Sequence, residues 1–176
     1  MTERRLWVGA LVALVAFVSL ILVVGNLGVP RQGIDPVRVE EVLAAERLSE
    51  RWGSDEISIV GWYAELDADC EGDAGGADDA VAWLQRDCPL RVLLPEQPAE
   101  GVTQAQLEAR GIRLTAPPDR RQPFPARAQP GGPNLRGVQL VFEGHFDDPA
   151  AERCVPERVE RCRSTFVVSD YDELVR

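Results

Sequence analysis

The sequence predicts a mainly β domain, a small antiparallel barrel of about five short strands with short helices, carried behind one transmembrane helix. Three observations predict it. Leu6 to Val24 is a 19-residue apolar run without a charged side chain. Ile57–Leu66 and Gly137–Asp147 are long segments of alternating apolar residues, rich in β-branched and aromatic side chains, each with an internal glycine. The remaining apolar segments are short and separated by glycine and proline, which favours many short strands over a few long helices.

At about 1.5 Å per helical residue, Leu6–Val24 spans roughly the 30 Å hydrocarbon core of a bilayer. The run exceeds the 7–15 apolar residues or so of a signal peptide, and Val23-Val24-Gly25 is a poor cleavage site. No cysteine follows it directly for lipid attachment, since the first is Cys70. The expected organisation is a cytoplasmic tail over 1–5, the membrane helix over 6–24 and a spacer over 25–35. An extracytoplasmic domain follows over 36–170, then a short acidic tail over 171–176. Arg4 and Arg5 precede the run while Arg31 and Arg38 follow it, so the positive-inside balance only slightly favours a cytoplasmic N-terminus. The acidity and cysteine content of the rest of the chain point the same way: four cysteines, an even number, suit an oxidising compartment.

All 19 basic residues are arginine. Beyond residue 30 there are 17 arginines against 28 acidic residues. Nucleic-acid binding draws its affinity from cationic groups on phosphates, so this balance argues against a nucleic-acid partner.

Along the chain, Asp35-Pro36 has the form of a helix start, and Val39, Val42, Leu43 and Leu48 give an apolar stripe, predicting a helix over 36–50. In Ile57–Leu66, Val60, Trp62, Ala64 and Leu66 share one face and Ile57, Ile59, Gly61 and Tyr63 the other, with Gly61 marking a bulge or tight bend. Arg91–Leu94 is a second strand, Thr103–Arg110 a short helix stopped by Gly111, and Ile112–Thr115 a third strand. Residues 117–133 hold six prolines and two glycines in seventeen positions, so the stretch 117–136 reads as an extended surface loop. In Gly137–Asp147, Val138, Leu140, Phe142, Gly144 and Phe146 point inward. Asp148-Pro149 starts a helical turn to about Arg153, and Thr165–Ser169 is the last strand.

The succession of a VEEVLAAERL helix, glycine-centred strands ISIVGWYAEL and VQLVFEGHFDD, and a terminal TFVVS strand resembles an OB-type barrel of bacterial envelope proteins. The segment GHFDDPAAERC…CRSTFVV resembles the ends of extracytoplasmic domains from high-GC bacteria. The layout is also similar to the haem chaperone family of cytochrome c maturation, which has an N-terminal anchor and an external barrel. That family's haem ligand is a histidine after the last strand. The matching stretch Val167–Glu173 has none, only Tyr171, so the resemblance does not carry a haem role here. Barrels of this type bind many ligand classes, and the fold by itself supplies no function.

Cys70, Cys88, Cys154 and Cys162 permit three pairings, of which the nearest-neighbour one is favoured. A Cys70–Cys88 bridge closes a short loop worth about 3 kcal/mol in the chain-entropy model. A Cys154–Cys162 bridge requires a break between them. A continuous helix would part their Cα atoms by about 12 Å, beyond the roughly 7 Å that a disulfide permits. Pro156 supplies that break. Neither spacing fits a structural zinc site.

Asp67, Asp69, Glu71, Asp73 and Asp78 fall at calcium-loop positions with Gly72 at the sixth. The match is partial, with Asp at the last position and a strand before the loop, so a solvated acidic loop is the favoured reading. His145, the only histidine, shares a strand face with Glu143 and Asp147, a weak metal or proton-transfer group at most. Nothing places it beside Ser164 or Thr165. There is no nucleophile elbow or phosphate-cradling glycine loop. Trp52, Trp62 and Trp83 read as core or as covers of the barrel ends, with an exposed Trp83–Tyr63 pair the mark of a sugar or peptide platform. The expectation is a non-enzymatic binding or interaction module without a cofactor, serving an envelope protein or a small ligand. A calcium-dependent module and an envelope hydrolase are the alternatives.

Overall fold

The computed structural model describes residues 35–66, 80–86, 88–99, 101–120, 123–126 and 134–174. The expected membrane helix Leu6–Val24 lies outside these residues. Among them no helix is long and apolar enough to cross a membrane.

The described residues form six strands: β1 (Val37–Arg38), β2 (Ile57–Leu66), β3 (Leu90–Leu94), β4 (Ile112–Thr115), β5 (Asn134–His145) and β6 (Phe166–Glu173). Five of them close on themselves in the order β2-β3-β4-β6-β5, with β5 pairing back to β2. The result is a ring, antiparallel at four of its five junctions. The β4–β6 pair is parallel, Leu114 facing Phe166 and Thr115 facing Val167. Parity demands it: an odd number of strands cannot alternate direction all the way round, so one neighbouring pair must run together. Outside the ring, β1 lies parallel to the first half of β2, Val37 facing Ile59.

The single helix expected over 36–50 is instead β1, helix α1 (Val39–Leu43) and helix α2 (Leu48–Trp52), parted by residues 44–47. The spacing of apolar residues explains the break. Leu48 lies nine positions beyond Val39, which at about 100° per residue puts it on the far side of an unbroken helix. Interrupting the helix lets Val39 and Val42 bury fully while Leu48 and Trp52 still pack on the same core.

β2 spans Ile57–Leu66 as the alternation predicts. Its inward residues Ile59 and Tyr63 join Leu140 and Phe142 of β5 and Phe166 of β6 in the main core, all with no exposed surface. The outer face, Trp62 and Ala64, packs with Val92 and Leu94 of β3 under Leu107 of helix α4 (Gln104–Arg110). Thr103 opens α4 with a reciprocal capping box: its hydroxyl accepts from the Gln106 N–H, and the Gln106 side chain accepts from the Thr103 N–H at 2.9 Å.

The irregularity expected at Gly61 lies one step along. Between Trp62 and Ala64, β2 passes one residue, Tyr63, while β5 passes three between Gln139 and Leu135. Gly61 itself serves close approach, because a Cβ there would lie 2.5 Å from Val39 Cγ2 and 2.8 Å from the Leu94 carbonyl oxygen. β6 is longer than the TFVVS segment. It pairs with β5 as far as Glu173 opposite Leu140, so residues 171–173 of the expected acidic tail are strand.

Between β5 and β6 the chain makes two 3₁₀ turns, Pro149–Arg153 and Pro156–Arg158, and helix α5 (Val159–Arg163). Asp148 caps the first turn by accepting from the Ala150 N–H at 2.8 Å. Pro156 opens the second, so the chain folds back and brings the Cys154 and Cys162 Cα atoms to 6.8 Å, where the two are disulfide-bonded. Cys88 is disulfide-bonded as well. Of the three pairings only the nearest-neighbour one contains the Cys154–Cys162 bridge; Cys70 lies outside the described residues. Helix α3 (Ala82–Gln85), unforeseen from the sequence, packs Leu84 against Cys154, Cys162 and Val167 beneath this bridge.

Gly144 is the tightest position in the ring, where a Cβ would lie 2.1 Å from the Val167 carbonyl oxygen of β6. That neighbour is backbone and cannot swing aside. Gly144→Ala is expected to destabilise the domain by about 3 kcal/mol, at the upper end of ordinary overpacking, read as a lowered midpoint in urea unfolding.

Candidate functional site

One end of the ring carries an acidic side chain inside the core. At this end β2 finishes and β3 begins. Their register sets Glu65 directly opposite Arg91, a cross-strand pair of opposite charge. Glu65 is 3% exposed, and the period of two places it on the same side as Tyr63. A buried carboxylate must be hydrogen-bonded and paired. Here the Tyr63 hydroxyl donates to Glu65 Oε2 at 2.8 Å, and Arg91 Nη2 lies 3.4 Å from Oε1. Burial pushes the Tyr63 phenol well above its ordinary range, and the Glu65 charge and hydrogen bond add to the effect, with Arg91 opposing.

Over this pair sits Phe124, from the proline-rich connection between β4 and β5. Its ring stacks on Tyr63 with centroids 6.3 Å apart and planes at 20°, and meets Phe142 at 6.3 Å. The Arg91 guanidinium carbon lies 4.4 Å from the Phe124 centroid, within cation–π range. Tyr63–Phe142 at 5.6 Å and Phe142–Tyr171 at 5.9 Å extend the aromatic cluster across the ring. Tyr171 thus belongs to the core packing of β6.

Two clefts flank β3 and β4. One of about 290 Å³ lies between the end of β3 and α4, lined by Leu94, Pro95, Val102, Leu107 and Arg110. The other, about 250 Å³, has Val92 and Ile112 on one side and Glu108, Arg113 and Arg161 on the other. Arg113 and Arg161 approach the Glu108 carboxylate at 3.9 and 3.7 Å.

The residues singled out in the sequence do not assemble into a reaction centre. His145 Nε2 pairs with Asp148 Oδ2 at 3.0 Å. Asp147 leaves the strand with φ 48°, and its carboxylate accepts from Arg163 Nε at 2.6 Å. This hydrogen bond, with the charge of Asp147, raises the Arg163 pKa. The Thr165 hydroxyl is buried and donates to the Arg161 carbonyl at 2.8 Å. Ser164 lines the smaller cleft, as does Thr165. The Trp83–Tyr63 platform is excluded. Tyr63 is fully buried, and Trp83 is half-buried with its indole N–H donating to the Ala80 carbonyl. Among the described residues no three His, Cys, Asp or Glu side chains converge to hold a metal. The calcium-loop residues Asp67, Asp69, Glu71, Asp73 and Asp78 lie outside the described residues. Sequence reasoning missed Glu65, Arg91 and Phe124. The available signal was a glutamate two residues after an inward tyrosine on a strand whose other inward positions are apolar.

A tyrosine whose folded pKa is raised contributes stability that is complete below its unfolded pKa, about 10, and declines as pH rises beyond it. The chain has two tyrosines, so Tyr171→Phe leaves Tyr63 alone. Alkaline titration of that variant, followed by phenolate absorbance, is expected to show no ionisation until the protein unfolds. Glu65→Ala is expected to cost about 3 kcal/mol, because it strands Arg91 and the Tyr63 hydroxyl in a largely apolar site, as chemical denaturation will measure. No protein-family model, curated protein or solved structure matches the chain.

Proposed function

We propose that this chain is a membrane-anchored, extracytoplasmic interaction module without catalytic activity, built on an OB-like barrel that engages an envelope protein. One observation carries the reading: the ring interior is filled. Tyr63, Phe142, Phe166, Ile59 and Leu140 have no exposed surface and occupy the lumen, so recognition falls to the ring's outer surface and its connections. The long connections supply that surface, and in barrels of this type the face of the second and third strands and the adjoining loops are the binding region. β3 and β4 stand in that position, with a cleft on either side. A disulfide-capped segment bracing β6 makes the scaffold rigid, as a binding loop requires. The anchor reading rests on the charge-free run Leu6–Val24, and the external location on the acidic, cystine-bearing remainder.

The test is topological. Full-length protein should stay with membranes through alkaline carbonate washing. Externally added protease should degrade the domain in spheroplasts but not in inverted vesicles. Release by alkali removes the anchor, and the opposite protease pattern places the domain in the cytoplasm.

A further inference from the structure

We propose that the aromatic end of the ring is a recognition site for a proline-flanked aromatic residue of a partner polypeptide, and that Phe124 occupies it in cis. The inference deepens the interaction-module reading by naming the ligand chemistry; it rests on that reading for the existence of a partner, not on the anchor.

The contacts of Phe124 are those of a docked ligand side chain. It stacks on Tyr63 at 6.3 Å and carries the Arg91 guanidinium 4.4 Å above its ring. It comes from neither a strand nor a helix but from a coil segment. Its neighbours are Pro123 and Pro125, so three consecutive residues offer the fold a single backbone N–H donor. Neither proline can join a backbone ladder, and Phe124 meets its seat through ring contacts. Extended proline-rich peptides dock in aromatic-lined grooves for the same reason: their backbone is pre-ordered and their contacts are rings on rings. Here Tyr63 and Phe142 supply the aromatic lining and Arg91 a cationic cover.

Phe124 is partly exposed, so the seat is reachable from solvent. The cis fit is also incomplete, because Arg91 Nε is buried without a hydrogen-bond acceptor while Phe124 is seated. A partner peptide that places a backbone carbonyl there gains a contact the internal segment does not make. The internal segment then acts as a competitor at an effective concentration in the millimolar range. It sets the threshold a partner has to exceed.

The experiment uses the full-length protein in nanodiscs and a fluorescent peptide of residues 116–126. Phe124→Ala protein should bind this peptide with a dissociation constant in the hundred-micromolar range. Wild-type protein should bind it at least tenfold more weakly, since its own segment competes. A peptide carrying Phe124→Ala should not bind. The inference is overturned if the folded variant binds neither peptide up to millimolar concentration, or binds both equally. Equal affinity of wild type and variant overturns it too. Should Phe124→Ala fail to fold, Phe124→Leu keeps an apolar side chain in the seat and is read by the same criteria, with a smaller gain. A chain that binds the peptide but fails the topological test loses its membrane role and keeps this site. A correctly anchored chain that does not bind loses only the site.

Discussion

Strand β2 holds neighbours on both edges along its length, and the ring exists because of it. On one side β5 runs antiparallel from Ile57 opposite Gly144 to Glu65 opposite Asn134. On the other side β1 covers Ile59 and Val60, and β3 takes over from Trp62 to Leu66. Elsewhere the pairings are short: β3 and β4 share two register partners, and so do β4 and β6. Ring closure therefore depends on the one strand that pairs both with the start of the sheet and with β5. Two glycines permit it, Gly61 letting α1 and β3 approach β2 and Gly144 letting β6 approach β5. Neither serves a turn. Both mark places where a methyl group would separate elements that must touch.

The same strand imports the buried charge. A period of two along β2 sends Ile59, Gly61, Tyr63 and Glu65 to the inside, and the first three suit a core while the fourth does not. The register repairs this locally. Arg91 faces Glu65 across the β2–β3 ladder, and Tyr63 supplies a hydroxyl from two residues upstream. A buried ion pair of this kind adds little net stability over an apolar replacement, because desolvation offsets most of the attraction. It costs heavily if half is removed. Its presence at the mouth of the ring accordingly asks for a reason other than stability, and there the partly exposed Arg91 guanidinium stacks on Phe124.

Much of the strand content was legible. Ile57–Leu66 and Ile112–Thr115 have the bounds their alternation implies, and Thr103 with Gln106 marks the start of α4. What stayed hidden was hidden for physical reasons. Val37–Arg38 is a strand only because β2 offers it an edge, and two residues carry no period. The break between α1 and α2 was readable in principle from the phase of Leu48, though Asp35-Pro36 is the stronger local signal and points to a helix. Asp170, Asp172 and Glu173 look like a solvated tail, yet they pair with β5, because all three side chains stay exposed while the backbone bonds. The ion pair at the site needed a register between β2 and β3, which no local pattern contains. Phe124 is the extreme case: a lone aromatic among prolines has no periodicity, and its seat is set wholly by tertiary packing.

The parallel β4–β6 pair also shapes the candidate site. An odd ring needs one parallel junction, and the chain must travel from the far end of β4 around the ring before it can run beside it again. β5 makes that return. The connection from β4 to β5 then has to cross the mouth where β2 ends and β3 begins, and the proline-rich segment does so. A tight hairpin would leave that mouth open, with Tyr63 and Glu65 facing water. Phe124 of that connection covers it by ring contacts with Tyr63 and the Arg91 guanidinium. Five-strand parity, the buried glutamate and the aromatic cover are thus linked: the direction of one strand pair brings Phe124 over the one acidic side chain that is buried among the described residues.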